Sequence, residues 1–131
     1  MVKTHYPERY GKTKFYAERT ILLVRNPLDS ITSLFNMVCT GSHNRSISDP
    51  DYKTFNRQWG EFIEQDITVW KDFHDFWLNA KIPVYIIRYE DIVANPEPTL
   101  KGLLEFILNV EDISGTNVEQ YLKLAVSEAS P

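Results

Sequence analysis

At 131 residues the chain has the length of one domain, and 43% hydrophobic with 13% aromatic residues is a globular composition, not a disordered one. A net charge of -4 supplies no basic face for general nucleic-acid binding, no apolar run approaches the roughly 20 residues of a membrane helix, and the N-terminus lacks a signal peptide's apolar core. The lone cysteine, Cys39, excludes an internal disulfide and a cysteine-based metal site, and its place near the end of a helical run suits packing.

The chain opens on Val2-Lys3-Thr4-His5-Tyr6-Pro7, a short extended segment closed by a proline that biases Tyr6 away from helix. So abrupt a start for a layered domain suggests that Met1 is not the natural beginning. Residues 8–19 read as a polar, basic loop or short helix. Gly11-Lys12-Thr13 imitates the end of a phosphate-binding P-loop, but Tyr6 stands where that loop needs its first glycine.

Residues 20–24, Thr-Ile-Leu-Leu-Val, form a short β-rich apolar run, the pattern of a central strand in a parallel sheet covered on both faces. Asn26 then stands where a helix N-cap belongs, Pro27 suits the first helical position, and Asp29 falls in the positive first turn, so a helix begins at Pro27. Arg25 ends the strand and Ser33 lies two turns into the helix. Ligands of open α/β sheets bind beyond the carboxyl ends of strands, where helix N-termini favour anions. There a guanidinium offers a phosphate two parallel charge-assisted hydrogen bonds, and a serine hydroxyl adds another donor. Arg25 and Ser33 are therefore the candidate anion-binding pair.

Residues 40–51 read as a loop, in which Asn44-Arg45-Ser46 fits an N-glycosylation acceptor. His43 lies four residues from Cys39, but no third and fourth ligand follow, and no metal site is expected. From 52 to 78 apolar residues recur at threes and fours, predicting one long helix or two broken near Gly60. The stripe of Trp59, Trp70, Phe73 and Trp77 reads as core packing, with His74 on the same face. Residues 84–89 form a second β-branched strand, parallel to the first across a helical crossover. Glu90-Asp91 suits the start of the helix running from Ile92. Asn95-Pro96-Glu97-Pro98 reads as a break, and 99–108 as an amphipathic helix with Leu100, Leu103, Leu104 and Ile107 inward. Residues 112–115 read as a turn, and 118–126 as a last helix that frays into Ser130-Pro131.

Three of these segments resemble the sulfotransferases that use 3′-phosphoadenosine 5′-phosphosulfate (PAPS). Arg25-Asn26-Pro27-x-Asp29-x-x-x-Ser33-x-Phe35 is similar to their 3′-phosphate-binding segment, which implies that Arg25 and Ser33 bind the donor's 3′-phosphate. Lys3-Thr4-His5-x-Pro7 resembles their Lys-Thr-His segment, which implies His5 as general base. An acceptor hydroxyl must lose its proton as sulfur is attacked, and imidazole is suited to that transfer. Lys3 would steady charge growing on the sulfuryl oxygens. Arg88-Tyr89-Glu90-Asp91-Ile92, with Pro96, Leu100, Leu103 and Phe106 after it, resembles the second signature and implies Tyr89 beside the adenosine. The helix rich in tryptophan resembles one that follows the first signature in the family.

The fold implied is α/β, a partial three-layer parallel sheet flanked by helices, of the P-loop-nucleotide-hydrolase-like sulfotransferase type. Nothing matches the family's 5′-phosphosulfate turn or its glycine-rich C-terminal segment. Residues 1–131 are thus expected to be a single but incomplete sulfotransferase domain, with little or no activity alone. The resemblance implies PAPS as cosubstrate without a metal, and a small-molecule, glycan or peptide acceptor. It implies no nucleic-acid or membrane contact by this segment, and a cytoplasmic or Golgi-lumenal setting, with cytoplasmic preferred. Two rivals are a nucleotide-kinase-like phosphotransferase and a non-catalytic helical module whose aromatic helix docks a partner.

Overall fold

The computed structural model describes residues 1, 3–5 and 17–129. Expectations for residues 2, 6–16, 130 and 131, among them the loop around Gly11-Lys12-Thr13 and the fraying C-terminus, lie outside them. The chain forms two compact units, one of Met1–Glu18 with Arg25–Ile82, the other of Arg19–Val24 with Pro83–Pro131.

The second unit holds the sheet. Strand β1 (Thr20–Val24) pairs in parallel with β2 (Val84–Arg88), Thr20 opposite Val84 and Val24 opposite Arg88. The mixed α/β class and the parallel pairing are as expected. Because side chains alternate along a strand, Leu22 and Ile87 are buried on opposite faces, 2% and 3% exposed. Each face is thus covered in part, but the central position expected for β1 is not found among the described residues. Among the described residues β2 is its one neighbour, and Leu23 and Ile86 are more than half exposed. An apolar strand sequence reports that the strand is covered somewhere, not how many strands flank it.

β2 ends one residue earlier than expected. Tyr89 opens α4 (Tyr89–Ala94), whose first turn takes the carboxylates of Glu90 and Asp91. Helix α5 (Pro96–Leu108) likewise begins at Pro96, inside the expected break, because proline's missing N–H costs nothing at the first helical position. Leu100, Leu103 and Leu104 are half-buried as expected, but Ile107 is 42% exposed. The Tyr85 ring packs 5.2 Å from Phe106, and a Cβ at Gly102 would lie 2.5 Å from the Tyr85 hydroxyl, so glycine makes room for the strand.

At the end of α5, Asn109 adopts φ 57°, a left-handed conformation that asparagine tolerates. Arg19 satisfies this terminus, donating to the Phe106 carbonyl (2.8 Å) and to Asn109 Oδ1 (3.1 Å). The following turn buries Ile113 and is tied to α5 through Lys101, whose ammonium meets Asp112 at 2.7 Å and the Ser114 hydroxyl at 2.8 Å. Helix α6 (Asn117–Ala129) then buries Leu122.

The first unit is helical: α1 (Pro27–Thr40), α2 (Asp49–Thr54) and α3 (Asn56–Leu78). The expected 40–51 loop is shorter at both ends. Gly41, at φ 66°, caps α1, and Ser48 caps α2 through a reciprocal pair of bonds with Asp51. The break in the long helical run falls at Phe55, since that capping box starts a separate turn of helix, and Gly60 sits within an unbroken α3.

Phe35 is the hub of this core, its ring 4.8 Å from Trp59, 5.2 Å from Phe62 and 5.8 Å from Tyr52. Further along α3, Trp77 is buried, while His74 is buried against Trp70 with Nδ1 2.6 Å from the Trp70 carbonyl. Cys39, expected to pack, is exposed, although it follows Phe35 by one helical turn: it lies in the last turn of α1. None of the helices among the described residues is long and apolar enough to cross a membrane.

Candidate functional site

The site is built on the start of α1. Asn26 Oδ1 accepts from the Leu28 N–H (3.0 Å), and its carbonyl accepts from Ser30 (3.0 Å), so the chain leaves Val24 and turns into helix within two residues. Asp29, Thr32, Ser33 and Asn36 then recur at helical spacing as one polar stripe. Phe35 faces the aromatic cluster and, with the buried Ile31, fixes which way that stripe turns.

A cavity of about 250 Å³ lies over the stripe. One wall is Arg25 with Asp29, Thr32, Ser33 and Asn36; the other is His43, Arg45 and Ser46 from the loop after α1. The volume is that of about eight waters, enough for a charged headgroup but not for a whole nucleotide. Among the described residues that line it are two arginines and one aspartate, an excess of positive charge.

Asn36 holds the two walls together. It is buried, and its Oδ1 accepts the backbone N–H of Ile47 at 2.9 Å, eleven residues on. The Thr40 hydroxyl donates to the Asn36 carbonyl (2.8 Å) and accepts from the Ser42 N–H (3.2 Å), which fixes the near end of the loop. At the far end the Ser48 hydroxyl and N–H both donate to Asp51 Oδ2, at 2.7 and 3.1 Å. Those bonds hold the Asp51 carboxyl below the usual carboxylate range.

The structure thus brings Arg25 and Ser33 to one cavity. Tyr89 is 42% exposed at the first position of α4, in the other compact unit. Lys3 and His5 are exposed in irregular chain and are not among the cavity's lining residues. Sequence reasoning missed Asn36, Arg45 and Ser46 as parts of the site and weighed His43 only as a metal ligand. The stripe at 29, 32, 33 and 36 was the available signal. The facing loop had none, because its position depends on one long-range bond. A wider hollow of about 590 Å³ beside Tyr52 and Trp59 has Asp49 and Lys53 in its wall, charges that offset each other. No three His, Cys, Asp or Glu side chains converge among the described residues.

Residues 15–111 match the Sulfotransferase family. A WSCD family member of Aedes aegypti is 32% identical over 113 residues, 82% of this chain and 33% of the relative. A second, of Drosophila pseudoobscura pseudoobscura, is 32% identical over 109 residues, 82% of this chain and 34% of the relative. A third, of Drosophila melanogaster, is 30% identical over 109 residues, 82% of this chain and 33% of the relative. The chain spans about a third of the length of these relatives. No solved structure matches it. The family match takes in both strands, helices α1 to α5, Arg25, Ser33 and Tyr89, and leaves out Lys3 and His5. With a single family covering the whole strand-helix core, the chain belongs to the sulfotransferase family.

Proposed function

We propose that this chain is the donor-binding part of a PAPS-dependent sulfotransferase, acting on a hydroxyl or amine. The observation that carries the reading is the convergence of Arg25 and Ser33, eight residues apart in sequence, on one net-positive cavity of headgroup size. A 3′-phosphate suits those residues: the guanidinium and the serine hydroxyl both donate to its terminal oxygens, the guanidinium with its positive charge behind the bond. PAPS, when bound, supplies a sulfuryl group on a phosphate leaving group.

The chain's residues supply the rest. Arg25 and Ser33 anchor the ribose end and so fix where sulfur stands. Tyr89 offers a ring face and a phenol to the adenosine. His5 takes the acceptor's proton as the acceptor oxygen bonds to sulfur and the bond from sulfur to the bridging phosphate oxygen breaks; Lys3 stabilises charge on the sulfuryl oxygens. The acceptor is a small molecule, glycan or peptide.

Isothermal titration with the product nucleotide, 3′-phosphoadenosine 5′-phosphate, tests the donor site. Arg25→Ala is expected to weaken binding by about 1.5–3 kcal/mol, the worth of a hydrogen bond to a charged group. Unchanged affinity refutes the site. His5→Ala, in the protein extended to the length of its relatives, is expected to lower turnover by about 10²–10⁴-fold with nucleotide affinity retained. Retained turnover removes His5 from the mechanism.

A further inference from the structure

We propose that Arg45, on the loop between α1 and α2, is a second phosphate-binding residue of the donor site, and that it makes the site select nucleotides bearing a dianionic 3′-phosphate. The inference rests on the reading of Arg25 and Ser33 given above and extends it to a residue outside both signature segments.

Charge count is the first argument. Within the first unit the cavity holds Arg25, Arg45, the imidazole of His43 and the carboxylate of Asp29. Arg25 and Asp29 alone cancel, and a neutral pair has no reason to prefer a doubly charged phosphate over an uncharged ribose hydroxyl. The second guanidinium supplies the excess positive charge among the described lining residues. Geometry is the second argument. Arg45 comes from the opposite wall to Arg25, so the two guanidinium groups can bind different oxygens of one phosphate and leave an oxygen for Ser33.

The third argument is that Arg45 is held in place without being used up. Two residues on, Ile47 is latched to the buried Asn36, and the Arg45 carbonyl lies 3.5 Å from the Thr40 hydroxyl. Its guanidinium has no ion-pair or hydrogen-bond partner among the described residues. Arg57, also exposed, is by contrast paired with Glu61 at 2.8 Å. Asn36 is the positioning residue: it touches the cavity and sets the height of the Arg45 wall.

The test follows the arginine Nε–Hε signals of the 131-residue chain by nuclear magnetic resonance. The chain is titrated with 3′-phosphoadenosine 5′-phosphate and, separately, with adenosine 5′-monophosphate, which lacks the 3′-phosphate. The signals of both Arg25 and Arg45 are expected to move with the first nucleotide and to stay with the second. Arg45→Ala is expected to weaken binding of the first at least fivefold and to leave the second unchanged, which narrows the preference between them by the same factor. Arg45 is exposed, so the α1 amide signals of the variant should match the parent's and show that the fold is kept. A loss under fivefold in Arg45→Ala, with Arg25→Ala still weakening binding, overturns this inference alone. Failure of both variants to change affinity overturns the donor-site reading with it.

Discussion

Arg25 follows β1 and Arg88 ends β2, and each is succeeded by a helix with acid in its first turn: Asp29 in α1, Glu90 and Asp91 in α4. The two junctions obey the same local rule but end in different electrostatic states. Arg88 reaches back to its own helix, 3.8 Å from Glu90 and 3.9 Å from Asp91, and two carboxylates outweigh it. Arg25 shares a cavity with one carboxylate, a serine and a second guanidinium brought by a loop. A strand-to-helix turn becomes an anion site, then, through what is folded over it more than through the turn itself.

The strongest way to break that contrast is to remove the platform under α1. Phe35→Ala should destabilise the first unit by about 3–5 kcal/mol, since a buried ring with three aromatic neighbours is lost. Urea denaturation followed by the fluorescence of the three tryptophans, all of them in α3, measures it, and cavity and core should be lost together. Next in size is the comparison of the arginines themselves. Against the loss expected of Arg25→Ala, Arg88→Ala should leave nucleotide affinity within about twofold and change stability by only about 0–1 kcal/mol, the usual worth of exposed ion pairs. Equal losses in the two variants would show that the second junction also meets the donor.

The smallest expected effect separates the units by pH. Hydrogen bonds from Lys101, then from the Ser114 hydroxyl and N–H, lower the Asp112 carboxyl below its ordinary value of 3.8. The stabilisation is complete above that ordinary value and is lost as pH falls through the lowered one. Thermal unfolding from about pH 5 downward should therefore show a shallower acid limb in Asp112→Asn than in the parent.

The helix start at Asn26-Pro27 and the two strands were legible in the sequence because each follows from a local rule: a cap, a fixed φ, a β-branched run. The rule about prolines was applied too broadly at Pro96, which opens a helix as Pro27 does. The capping box at Ser48 and Asp51 is present in the sequence but hidden in a cluster of turn-formers, which left one long helix, or two broken near Gly60, as the readings for 52–78. Exposure was harder to read. Cys39 and Ile107 sit at helical positions whose burial depends on which neighbour lies opposite, and no local pattern states that. Arg45 is the extreme case, since its place depends on the bond from Asn36 to Ile47.

The same bond has a thermodynamic consequence. A segment pinned at one end by Thr40 and at the other by Asn36, through Ile47, and by Ser48 has already given up conformational entropy before any nucleotide arrives. Association should then show the small heat-capacity change of a rigid recess closing on a polar group, and not the large negative one of a chain that folds as it binds.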